Sequence, residues 1–240
     1  MDRLYIVIPA YNEQETIKQV IEEWYPIVEK IGKESRLVIV DDGSKDDTYK
    51  IMKECASEGK NQFIPLTKVN GGHGATVLYA YEYALKHGAD YVFQTDSDRQ
   101  TLPEEFWQFW NIREKYDMVI GHRNKREDGI SRIFVTKILK LTLKMCFGVS
   151  MTDANTPFRL LKAESLRENI NLIPDEFNLS NVILSVIYAK KNLKVKYINI
   201  TFRPRQGGVN SINIKKIIKI GIQAVQDFRK INKTLKSAGL

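Results

Sequence analysis

Short apolar runs alternate with helical segments along the first half of this chain, and three of the runs stop abruptly at polar clusters. Residues 4–8 read Leu-Tyr-Ile-Val-Ile and are closed by Pro9, Ala10, Tyr11, Asn12 and Glu13. Residues 37–40 end in Asp41, Asp42, Gly43 and Ser44, and the run from Tyr91 ends in Asp96, Ser97 and Asp98. Weaker runs stand at 63–66 and 118–120, with helical patterns over 13–31, after Ser44, over 75–87 and over 103–115. Continuous apolar strands separated by helices predict a mostly parallel sheet covered on both faces. Ligands of such sheets sit at the carboxyl ends of the strands, and all three polar clusters fall there.

Acids at such positions can simply cap the next helix. That reading suits Asp46 and Asp47, placed in the first turn of a helix with Ser44 at its N-cap. It suits Asp41, Asp42, Asp96 and Asp98 poorly, because they precede the helix starts. Two carboxylates one residue apart, at the end of a buried strand, are costly without a charge partner. A divalent cation is the usual one. Taken alone, the pair fits a solvated loop equally well.

At 240 residues the chain suits one large domain, or a domain with an appendage. No apolar run reaches the ~18 residues of a membrane span. The N-terminus runs directly into a strand pattern, which predicts no signal peptide. Cys55 and Cys146 lie far apart and read as reduced thiols, and His73, His87 and His122 are too scattered for a histidine metal site. The net charge of +8 points to nucleic acid, an anionic membrane or a phosphorylated small molecule. No nucleic-acid-binding motif is present, which argues against the first. The glycine fingerprint of dinucleotide enzymes is missing after the first strand.

Beyond residue 122 the pattern changes. Residues 133–147 form a strongly apolar helix with Lys137, Lys140 and Lys144 in one stripe, suited to a membrane interface or an acceptor. Strands are expected at 158–161 and 195–202, with a helix over 178–190 between them. Arg203, Pro204, Arg205, Gln206, Gly207 and Gly208 form a basic loop. A basic helix over 212–235 carries an apolar face through Phe228 and Leu235, which predicts docking on the domain.

Four stretches together resemble the family-2 glycosyltransferases, which have the GT-A fold: residues 6–13, 40–48, 70–75, and Asp96-Ser97-Asp98. Any one is unspecific, but all four stand in the family's order and spacing. Within the family the likeness is to dolichyl- or polyprenyl-phosphate sugar synthases, through Asp96, Asp98 and Gln100, and through Asp153 followed by Phe158 and Arg159. His73 and Pro157 depart from the family's pattern. The resemblance implies a GT-A fold with a Rossmann-like, mostly parallel sheet and acceptor-side helices towards the C-terminus. Residues 1–122 would form the nucleotide-sugar half, 123–210 the acceptor half and 211–240 a basic helix.

The implied activity is inverting, metal-dependent transfer of a hexose from a UDP- or GDP-linked donor to a polyprenyl phosphate. Pro9, Ala10, Tyr11 and Glu13 would line the base and ribose, Asp42 would meet the base edge, and Asp96 the ribose or the metal. Asp98 and Gln100 would hold Mg²⁺ or Mn²⁺. Arg123, Arg203 and Arg205 are candidate contacts for the diphosphate or the acceptor phosphate. A phosphate nucleophile needs no general base. A hydroxyl acceptor in capsule, cell-wall or lipopolysaccharide synthesis, the alternative, would need Asp153, Asp175 or Glu176 as base. A non-catalytic basic module is the third reading. The expected location is cytoplasmic, peripheral at the membrane face, with no nucleic-acid partner.

Overall fold

A computed structural model describes residues 2–123, 130–174, 177–203, 214–237 and 239–240. The first half runs β1 (Leu4–Ala10), α1 (Ile17–Ile31), β2 (Arg36–Asp41), α2 (Thr48–Ser57), β3 (Phe63–Thr67), α3 (His73–Lys86), β4 (Tyr91–Gln94), α4 (Phe106–Trp110) and β5 (Met118–Arg123). The second adds α5 (Ile130–Phe147), β6 (Arg159–Lys162), α6 (Ala163–Asn169), α7 (Ser180–Lys190), β7 (Val195–Ile200) and α8 (Ile214–Ser237).

One seven-stranded sheet has the order β3-β2-β1-β4-β6-β5-β7. Every strand pair is parallel except the two made by β6, which runs antiparallel to β4 and β5. The chain leaves β5 and re-enters β6 at the same end of the sheet, so β6 must run backwards. Pro65 is tolerated in β3 because that strand is the sheet's edge.

Both faces are covered, as continuous apolar strands require. On one face α1, α2 and α4 close over an aromatic cluster. Phe93 packs 5.5 Å from Trp24, 5.0 Å from Phe106 and 4.7 Å from Phe158, measured between ring centroids. This cluster lies directly beneath the turn that carries Asp96 and Asp98. The other face holds α3, α6 and α7, with α5 and α8 packed on each other through Phe147 and Phe228. Phe228, Ile231 and Leu235 are buried, so the apolar face of α8 docks on the domain as expected.

Several local expectations are corrected. α1 begins at Ile17 rather than residue 13, because the Thr16 and Ile17 amides fold back onto the Glu13 carbonyl as a turn. It continues through Pro26. The helix expected over 103–115 is broken into a 3₁₀ turn at Pro103–Glu105, the short α4, and a second 3₁₀ turn at Arg113–Lys115. α6 is too short to show periodicity and was not anticipated. The helix α2 begins at Thr48, not at a Ser44 cap. The reason lies in the site.

Candidate active site

The carboxyl ends of β1, β2 and β4 open on a cleft of about 370 Å³. Pro9, Ala10, Tyr11 and Glu13 line it from the β1 side, Asp42 from β2, and Asp96 and Asp98 from β4. Tyr11 remains 43% exposed, so its ring face is available for stacking.

The walls of the cleft are tied to each other. Asn12 adopts φ 53, a left-handed conformation that Asn tolerates. Its amide donates to Ser44 Oγ at 2.8 Å, and its Oδ1 accepts the Lys45 amide at 2.9 Å. The Glu13 amide donates to Thr48 Oγ1 at 2.8 Å and the Gln14 amide to Asp46 Oδ2 at 3.2 Å. Ser44 therefore serves the neighbouring loop instead of capping α2, which is why that helix starts later.

Asp42 is buried and anchors the cleft floor. Its carboxylate accepts Lys68 Nζ at 2.5 Å and the amides of Gly71 and Gly72 at 2.9 and 2.8 Å. Burial alone would raise its pKa; Lys68, the Gly71 amide and Thr76 more than offset that and hold it below the ordinary carboxylate value. The two amides leading into α3 thus serve the protein's own carboxylate. The small size of the neighbouring glycine has a separate cause. A Cβ on Gly74 would stand 2.1 Å from the Phe177 carbonyl oxygen and 2.7 Å from Asn178 Cα.

His73 Nε2 lies 3.1 Å from Asp96 Oδ1. Desolvation alone would lower its pKa, but the Asp96, Asp98 and Asp42 carboxylates together raise it. Asp98 accepts the Gln100 amide at 3.1 Å. Between them Arg99, at φ 56, directs its guanidinium away from the cleft to Glu23 and Gln19. The acidic turn is therefore held from both sides.

The remaining predicted residues lie elsewhere. Arg123 is not a solvated loop residue: it pairs with the buried Asp153 at 3.2 Å and stacks on Phe202 at 4.9 Å. It is not among the residues lining the cleft. Gln100 is buried, also outside the cleft lining, and bonded to the backbone of Arg203. Arg203 lines a separate hollow with Arg99, Glu104 and Trp107. Arg205, Asp175 and Glu176 lie outside the described residues. Arg159, paired in the sequence with Phe158, is fully buried and is not among the residues lining the cleft.

Among the described residues no three His, Cys, Asp or Glu side chains form a self-sufficient metal cage. The Asp96 and Asp98 carboxylates, which line the cleft, nevertheless suit Mg²⁺ or Mn²⁺ of the kind that completes its shell with substrate phosphate and water. Lys68 and Phe202 carry no part in the sequence reading of the site, whereas Asp153 stands in it as a family match and candidate base and is found paired with Arg123. Lys68 had a signal, since it follows β3 as the acids follow β2 and β4.

The architecture matches solved GT-A glycosyltransferases. Glucosyl-3-phosphoglycerate synthase from Mycobacterium tuberculosis, in complex with Mn²⁺, UDP and phosphoglyceric acid, superposes with a TM-score of 0.69 at 16% identity, covering 96% of this chain and 78% of that one. The family model for glycosyl transferase family 2 matches residues 5–170, and the chain belongs to that family. An undecaprenyl-phosphate 4-deoxy-4-formamido-L-arabinose transferase from Pectobacterium atrosepticum is 27% identical over 223 residues, 90% of this chain. Its counterpart from Pseudomonas fluorescens is 31% identical over 150 residues, 62% of this chain and 43% of the relative. The chain spans 64% of the length of the Pectobacterium relative.

Proposed function

We propose that this chain transfers a sugar from a UDP- or GDP-linked donor to a polyprenyl phosphate, with inversion and with Mg²⁺ or Mn²⁺. The observation that carries the reading is the single cleft joining Tyr11 and Asp42 to Asp96 and Asp98, in a family-2 chain whose curated relatives are undecaprenyl-phosphate sugar transferases. The base and ribose would lie along Pro9, Ala10, Tyr11 and Glu13, with Asp42 at the base edge. Asp98, Asp96 and the Gln100 amide oxygen would hold the cation, which supplies Lewis-acid stabilisation of the leaving diphosphate. Arg123, Arg203 and Arg205 would face the acceptor's charge.

A lipid phosphate is favoured over a hydroxyl by the curated relatives, which act on undecaprenyl phosphate. A hydroxyl acceptor needs a base, and of the candidate bases the described Asp153 is a poor one, being buried and engaged with Arg123. The sugar is proposed to be a hexose, while the named relatives transfer a modified arabinose.

Thermal shift against UDP- and GDP-sugars, with and without Mn²⁺, tests the donor side. A donor present at about 100 times its Kd should stabilise the fold by about 2.7 kcal/mol, and only with the metal. No metal-dependent stabilisation by any donor would sink the reading. Labelled-sugar transfer to polyprenyl phosphate, run beside free sugar acceptors, tests the acceptor. Turnover with sugars alone would favour the hydroxyl reading.

The acceptor also implies where the protein meets a membrane. No described helix is long and apolar enough to cross one. On α5, Ile138, Leu141 and Met145 point outward at 43%, 60% and 75% exposure, with Lys140 and Lys144 beside them. Such a face suits the cytoplasmic surface of an anionic bilayer, where each Lys adds about 1 kcal/mol. The double variant Leu141→Glu, Met145→Glu should bind vesicles containing an anionic phospholipid at least about tenfold more weakly, since it removes two apolar contacts and adds two repulsive charges. Cosedimentation measures this, and binding equal to wild type would rule out this face.

A further inference from the structure

Gln100 makes contacts that a metal ligand does not require. Its backbone carbonyl accepts the Arg203 amide at 2.8 Å. Its side-chain Nε2 donates to the Arg203 carbonyl at 2.9 Å, across 103 positions of sequence. The pair of bonds locks the backbone after β7 against the turn that carries Asp98.

The locked segment, residues 201–203, reaches other parts of the site. The Thr201 amide donates to both carboxylate oxygens of Glu105, at 2.9 and 3.0 Å. The Phe202 ring supports the Arg123 guanidinium, which also pairs with Asp153. Arg203 itself is exposed beside Arg99 and Trp107. Three consecutive residues cannot shift independently, so the position of Arg203 governs that of Phe202. A primary amide has a donor end and an acceptor end. With Nε2 committed to Arg203, Oε1 is the end of the amide that would be available to a cation.

We propose that Gln100 is a positioning residue: it clamps segment 201–203 to the acidic turn and thereby sets where Phe202 holds Arg123 and where Arg203 presents its charge to an anionic acceptor. The acceptor part of this inference rests on the function proposed above; the clamp itself does not.

Two variants separate the roles. Gln100→Glu keeps an oxygen for a cation but loses the donor and sets a carboxylate against the Arg203 carbonyl. Gln100→Met keeps the volume of the buried side chain and loses both ends. Amide exchange at Thr201 and Arg203, followed by NMR, should speed up by about tenfold or more in both as local opening becomes easier. Mn²⁺ affinity in the presence of UDP should stay near wild type in the Glu variant and weaken in the Met variant. The acceptor KM should rise by about 10- to 100-fold in the Glu variant, as misplaced contact groups do, with the donor KM little changed.

Unchanged exchange in the variants overturns the clamp, whatever the activity. So does a Glu variant that loses Mn²⁺ while keeping wild-type exchange, which would make Gln100 a ligand only. If Gln100→Glu does not fold, the exchange of Gln100→Met decides alone. A wild-type protein that binds no Mn²⁺ with UDP would refute the proposed function and leave the exchange comparison to judge the clamp.

Discussion

In an Asp98→Asn variant, sugar transfer is expected to fall by about 10³-fold or more on the proposed function, because a carboxylate that would hold the cation loses its charge. The substitution is chosen to spare the fold. Asp98 is half-buried, and its Oδ1 accepts the Gln100 amide at 3.1 Å. Asn offers an oxygen in the same place, so the turn keeps that bond. Neither Arg99, held by Glu23 and Gln19, nor the aromatic cluster around Phe93 depends on the charge. Unfolding temperature should therefore stay close to wild type while turnover and metal-dependent donor stabilisation disappear. Initial rates with polyprenyl phosphate and thermal shift with UDP-sugar and Mn²⁺ measure both. A variant that retains most of its turnover would refute the site, and would favour a non-catalytic basic module.

The second large effect concerns stability. Arg159→Met is expected to destabilise the protein by about 3–5 kcal/mol, from the loss of several buried charge-assisted hydrogen bonds to backbone carbonyls. For a chain of this size that lowers Tm by roughly 10 °C. Arg159 is fully buried at the start of β6. Its guanidinium donates to the carbonyls of Thr156, Ala154 and Asn181, at 2.6, 3.2 and 3.1 Å for the shorter contacts. Burial lowers its pKa despite the favourable fields of Tyr81 and Asp153. Met fills the volume but strips the charged donor from three buried carbonyls; those of Ala154 and Asn181 keep the Ser185 hydroxyl, and that of Thr156 loses both of its guanidinium bonds. Those carbonyls flank Asp153 and the start of α7, so the loop that presents Asp153 to Arg123 should loosen as well. Arg159→Lys should recover only part of the loss, because an ammonium cannot reproduce the planar fork. Calorimetry checks the ranking, and a Met variant as stable as wild type would remove Arg159 from the scaffold of the site.

Much of the cleft was legible in the sequence. Apolar runs ending in acids mark strands and their carboxyl ends, and both signals are local. Pro9, Ala10, Tyr11, Glu13, Asp42, Asp96 and Asp98 accordingly meet in one cleft. The family resemblance covered the same stretches, since those motifs are contiguous. Arg123 and Arg203 stand out in the sequence by charge, by a loose family match and by a following glycine pair, and none of these signals says which partner a guanidinium takes.

The sequence alone determined which segments are strands, which faces are apolar and where the acids stand, because burial and element type are written in spacing over a few residues. Only the tertiary structure decided that β6 runs backwards, that Ser44 serves the β1 loop rather than α2, and that Lys68 neutralises Asp42. It also decided that Arg123 is claimed by Asp153 and Gln100 by Arg203. Each of these joins residues between 26 and 103 positions apart. A hydrogen bond forms over about 3 Å, and no local pattern encodes which distant groups the folded sheet brings within that reach.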